Sequence, residues 1–205
     1  MTRPRLVVLA SGNGSNLQAL IDAVDEGRIS GQIVAVVSDR PESRALARAT
    51  DAGILAAPLP IAEGERRDDY DRRLADLLSD LAPHLVVLAG WMRILTDTVV
   101  ESFRVINLHP ALPGELPGTR AIERAWAEHL AGGRDRSGVM VHEVPDVAVD
   151  AGPVLAVEEV AIVPGDDLDS FATRVHAVEH RLLTRVVAEI CDDLLSHDHQ
   201  EVIDA

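Results

Sequence analysis

Two stretches of this chain, Leu6-Val7-Val8-Leu9-Ala10 and Leu85-Val86-Val87-Leu88-Ala89, are apolar at every position. A strand that alternates apolar and polar residues buries one face. A strand apolar throughout must be covered on both, the situation inside a parallel sheet with helices on each side. The segments between such runs meet that demand. Residues 16–25 place Leu17, Leu20, Ile21 and Val24 on one helical face, and residues 67–81 do the same with Leu74, Leu77, Leu78 and Leu81. Residues 43–52 read as a further helix closed by Gly53. Ile33–Ser38 and Ile54–Pro58 supply two more strands.

The second half continues with a short helix over 96–102, a fifth strand at Val105–Leu108, a Pro/Gly-rich loop over 109–118 and a helix over about 119–131. Val139–Val144 and Val154–Ile162 read as an antiparallel pair, and 168–193 as a closing helix. The predicted class is α/β: a Rossmann-like, mostly parallel sheet flanked by helices, with a C-terminal antiparallel strand addition. One domain is expected over 1–193, followed by a polar, frayed tail over 194–205.

Charge and composition exclude several functions. The net charge is −15, from 34 acidic residues against 19 arginines and no lysine, so the positive footprint of a nucleic-acid binder is missing. No apolar run approaches the eighteen or so residues of a membrane span. The apolar N-terminal run ends in a glycine turn, so it reads as a strand and not as a signal peptide. Cys191 is the only cysteine, which excludes an internal disulfide and a cysteine-based zinc site, and fits a reducing, cytoplasmic compartment. Small molecules are the expected partners, with no nucleic acid and no membrane; a homodimer is left open.

Ligands of such sheets sit at the carboxyl ends of the strands. Ser11-Gly12-Asn13-Gly14-Ser15-Asn16 follows the first strand and opens the first helix, a backbone cradle suited to a phosphate monoester. Leu17 stands where a dinucleotide fingerprint needs its third glycine, and no Gly-Lys-Ser/Thr follows. A tight turn without a ligand explains the motif equally well. Asn107-Leu108-His109-Pro110 ends the fifth strand with Asn107 and His109 on one side. An amide beside an imidazole suits acyl transfer to an amine: the amide binds the oxygen that becomes negative, and the ring moves protons. Asp150-Ala151-Gly152-Pro153 offers a carboxylate to pair with His109, favouring its charged form and raising its pKa.

These pieces, with Ala89-Gly90-Trp91-Met92-Arg93-Ile94-Leu95 and Val175-His176-Ala177-Val178-Glu179-His180, occur in the order found in the phosphoribosylglycinamide formyltransferase family, which the chain resembles from about residue 5 to 190. The resemblance implies the formyltransferase fold, 10-formyltetrahydrofolate as co-substrate, no metal, and a place in purine biosynthesis. It implies that Asn107, His109 and Asp150 are catalytic. Gly14, Ser15 and Asn16 would hold the substrate phosphate, with His176 and Glu179 at the ribose and glycinamide end. Arg67, Met92, Arg93, Ile94, Leu95 and Asn107 would contact the folate. Three positions depart from the family: the loop before Asp150 is one residue longer, making Asp146 a rival carboxylate; Met140 replaces a Ser or Thr; His176 replaces a Gln.

Alternative readings are formylation of another amine, hydrolysis of the formyl donor, and a phosphosugar-binding module without catalysis. A tRNA-formylating enzyme is expected to carry a basic surface and a further C-terminal domain, and a hydrolase a regulatory domain in front. The arginines at 66, 67, 72 and 73 interleave with Asp68, Asp69 and Asp71 and read as a solvated helix start, with Arg67 alone assigned to a ligand. His197 and His199 read as tail residues, and Cys191 as core filler.

Overall fold

The computed structural model describes the backbone of residues 3–203 and the side chains of residues 3–197. A seven-stranded sheet in the order β3-β2-β1-β4-β5-β6-β7 forms its centre. β1 (Arg5–Leu9), β2 (Gln32–Ser38), β3 (Leu55–Pro58), β4 (Leu85–Leu88) and β5 (Val105–His109) pair in parallel. β6 (Arg136–Glu143) runs antiparallel to β5, and β7 (Val154–Ala161) antiparallel to β6. This is the mixed sheet expected from the sequence.

Apolar-throughout strands do what coverage on both faces requires. Leu6 and Val8 point into one layer, with Leu17 and Leu20 of α1 (Ser15–Asp25) and Val187 of α6 (Leu168–Ile203). Val7 and Leu9 point into the other, against Tyr70, Leu74 and Leu78 of α3 (Arg67–Leu81) and Val99 of α4 (Asp97–Val100). Each such side chain is fully or almost fully buried and contributes about 1.5–3 kcal/mol. On α3, Leu77 and Leu81 are only partly buried, because Tyr70 and Asp71 share the inward stripe.

α2 (Arg44–Asp51) and α5 (Ala121–Leu130) complete the helices. β6 starts three residues before the expected Val139, since its pairing with β7 extends to Arg136 opposite Ala161. α6 runs to Ile203, and Leu194 packs against the core, so the expected domain-to-tail boundary falls inside one helix. The side chain of His199 and residues 204–205 lie outside what is described. At the sheet edge, β7 exposes Val154, Leu155 and Val157, while Glu158 and Glu159 pair with Arg181 and Arg136. Among the described residues no helix is long and apolar enough to cross a membrane.

Candidate active site

A cleft of about 240 Å3 opens at the carboxyl end of β4 and β5. One wall is the Gly90–Leu95 segment after β4, the other the Val144–Asp150 segment after β6, and Asn107 and His109 form the floor. Apolar surface dominates the walls: Met92 and Ile94 are about half exposed, as are Val147 and Val149 opposite.

Asp150 organises the floor. Its side chain is only 9% exposed. Oδ1 accepts from Asn107 Nδ2 at 3.0 Å, and Oδ2 accepts from the Gly118 backbone N–H at 2.7 Å. Oδ2 also lies 3.4 Å from His109 Nδ1, and Oδ1 3.6 Å from His142 Nε2. Burial is the largest influence on this carboxyl and raises its pKa. The His142 contact, the Gly118 N–H and the charge of His109 together outweigh it, so Asp150 is held below the usual carboxylate range. The rival Asp146 is exposed and accepts from the Ala148 N–H at 2.8 Å, a local turn within the cleft wall. The longer loop thus still delivers Asp150 to the ring.

His109 is 4% exposed. Its Nε2 lies 3.1 Å from the Leu116 carbonyl, which only accepts, so Nε2 carries a proton and Nδ1 is the nitrogen left to titrate beside Asp150. The expectation that Asp150 raises the pKa of this ring needs correction. Asp150 pulls upward, but burial pushes down harder, and the net shift is below the ordinary 6.5.

Asn107 is tied differently from expectation as well. Its Nδ2 faces both Asp150 Oδ1 and, at 3.1 Å, His142 Nε2. His142 Nδ1 faces the Glu143 carbonyl at 2.8 Å and carries the proton there, leaving Nε2 to accept from the amide. A flipped amide would set its oxygen against the carboxylate, so the orientation is fixed. Both amide hydrogens are committed within the protein. His142 was not among the expected site residues; its register opposite Asn107 on β6 brings it in.

At the far end, Asn16 and Glu179 line the cleft. Gly14 and Ser15 adjoin it at the start of α1. Gly14 has φ 72°, and a Cβ there would lie 2.9 Å from Ala45 Cα, so glycine lets α2 close on the turn. Glu179 is buried, and its Oε2 is 2.6 Å from Nδ1 of the half-exposed His176 one turn earlier on α6. That bond raises the pKa of His176 against the effect of burial.

Of the six residues expected at the folate, Met92, Arg93, Ile94, Leu95 and Asn107 line the cleft and Arg67 does not. The exposed Arg67 donates to the Leu95 carbonyl at 2.7 Å. Arg93 stacks over the Tyr70 ring at 4.4 Å. Among the described residues the Nε atoms of Arg93 and Trp91 are buried without a hydrogen-bond partner. The other arginines at the start of α3 pair with neighbouring acids, Arg66 with Asp68, Arg72 with Asp69 and Arg73 with Glu65. Cys191 is buried, and burial pushes its thiol up to about 12. Among the described residues no group of three His, Cys, Asp or Glu is placed to hold a metal ion.

The formyl transferase family pattern matches residues 4–187. The phosphoribosylglycinamide formyltransferase of Schizosaccharomyces pombe is 42% identical over 202 residues, spanning 92% of this chain and 97% of its own. That of Escherichia coli is 38% identical, spanning 97% and 93%. The crystal structure of glycinamide ribonucleotide transformylase 1 from Symbiobacterium toebii superposes with a TM-score of 0.86 at 35% identity, over 93% of this chain and 89% of that one. The chain belongs to the phosphoribosylglycinamide formyltransferase family.

Proposed function

We propose that this enzyme moves the formyl group of 10-formyltetrahydrofolate onto the glycinamide amine of N1-(5-phospho-D-ribosyl)glycinamide, a step of purine biosynthesis, by direct attack of that amine. One observation carries the reading: a single buried carboxylate, Asp150, is joined at once to an amide, an imidazole and a backbone N–H on the floor of an apolar cleft.

The cleft fits the folate. Half-exposed Met92 and Ile94 offer an apolar face. When bound, the folate supplies an activated formyl carbon. The phosphate of the acceptor is assigned to the N–H groups at Gly14–Asn16, where the start of α1 is partially positive. Glu179 and His176 hold its ribose and amine end.

Because burial keeps His109 neutral near pH 7, the ring begins as a base. Nδ1 takes the proton that the amine loses, Asp150 Oδ2 steadies the resulting charge, and the same lowered pKa then makes His109 a ready donor to the departing nitrogen. Asn107 stabilises the oxygen that gains charge by giving up its contact with His142 while keeping the bond to the Asp150 carboxylate. Such a donor lowers the barrier by about 3–4 kcal/mol.

The lone buried Cys191 fits a reducing, cytoplasmic setting. The test is an absorbance assay of 10-formyltetrahydrofolate with and without the phosphoribosyl-glycinamide. Turnover that needs the acceptor is expected; equal loss of the formyl group without it would replace this reading by hydrolysis.

A further inference from the structure

The Gly90–Leu95 wall ends in a peptide unit whose two polar groups are gripped by one helix. Arg67 and Asp71 stand one turn apart on α3, side chains facing the same way. Arg67 Nη2 donates to the Leu95 carbonyl at 2.7 Å, and the Thr96 N–H donates to Asp71 Oδ2 at 2.6 Å. That carbonyl and that N–H belong to the same planar unit. Held from both edges by opposite charges, the plane cannot turn about its own axis. Asp71 is fully buried, where an aliphatic side chain would fill the space without the cost of desolvating a charge. Among the described residues its Oδ1 and Thr96 Oγ1 are both buried without a partner, so the carboxylate is not there to complete a hydrogen-bond network. Its one hydrogen bond among the described residues is from the Thr96 N–H at the end of the wall.

We propose that Asp71 is a positioning residue for folate binding: with Arg67 it locks the Leu95–Thr96 peptide, and so sets the backbone of Met92–Leu95 against the bound ring. This rests on the assignment of the cleft to folate. It gives a buried charge a purpose.

The experiment compares wild type, Asp71→Ala and Asp71→Asn. Trp91 lines the cleft, so tetrahydrofolate binding is followed by tryptophan fluorescence, phosphoribosyl-glycinamide binding by calorimetry, and exchange of the Thr96 amide by hydrogen–deuterium NMR. Asp71→Ala should raise the Kd of tetrahydrofolate about tenfold or more, the loss of one hydrogen bond to a charged group, while the acceptor Kd changes less than about twofold. The Thr96 amide should exchange faster. Asp71→Asn, which keeps an acceptor oxygen, should recover most of the folate affinity. Equal weakening of both ligands would mean a merely structural role and overturn the proposal, as would unchanged folate affinity in a folded Asp71→Ala. If the wild-type chain itself binds no tetrahydrofolate, the proposed function falls first and this role falls with it.

Discussion

The two walls of the cleft are built in opposite ways. The Gly90–Leu95 wall is fixed from outside: Ser11 Oγ receives the Met92 N–H at 3.0 Å, and Arg67 and Asp71 hold its end. The Val144–Asp150 wall is exposed along most of its length and is held at its ends, by the Val144 N–H on the Val105 carbonyl at 2.9 Å and by Asp150, whose backbone is left-handed at φ 52°. Leu116 and Arg120, on the loop facing Asp150, are left-handed too, at φ 48° and 56°. Positive φ in such residues costs of order 1 kcal/mol or more and persists where surrounding contacts impose it. The first wall is therefore a shaped surface carried on the core. In the second, the chemistry is also the fastening: the carboxylate that faces His109 is the group that pins the loop.

If that contrast is right, removing the fastening does the greatest damage. Asp150→Asn should lower kcat by about 10²–10⁴-fold with a modest change in KM, since it removes the charge facing Nδ1 and weakens the hold on Asn107. Steady-state kinetics with both substrates measures this, and near-wild-type turnover would refute the assignment. Next in size, Gly152→Ala should destabilise the fold by about 3 kcal/mol or more, a fall in Tm of about 6–12 °C. The cause is a Cβ that would stand 1.8 Å from the Glu143 carbonyl oxygen. Calorimetry decides it.

Acid pH should act through the ring. The folded pKa of His109 lies below 6.5, so its neutral form, and the stability gained by burying it, are fully present above 6.5 and lost as pH falls through the lowered value. The base then disappears, and kcat/KM should fall by about tenfold per pH unit below that point. A profile that rises on acidification would show that the protonated ring starts the reaction. The smallest effect is expected at the rival carboxylate. Asp146→Ala should shift stability by about 0.5 kcal/mol and leave kcat unaltered, because it loses only an exposed turn bond. A large loss of turnover there would dissolve the distinction between the two acids of the second wall.

What the sequence discloses follows the same division. Apolar strands and amphipathic helices are legible because burial imposes a period, and α3 was read to its exact bounds from its leucines. Asn107, His109 and Asp150 are legible because they flank strand ends and carry a family pattern. Other features depend on contacts between distant residues and leave no local mark. The Gly118 N–H on Asp150, the His142 ring behind Asn107 and the bond from Arg67 to the Leu95 carbonyl are of this kind. The sign of the His109 shift also escaped, because a neighbouring carboxylate is visible in a motif and the depth of burial is not.

The outer strand β7 has a bearing on how the chain survives in a crowded cell. Eight residues of open ladder with Val154, Leu155 and Val157 uncovered are a template onto which another extended chain can zip. Glu158 and Glu159 interrupt that template with paired charge in its middle. They act as gatekeepers, so that aggregation resistance here is invested in two adjacent acids remote from any ligand.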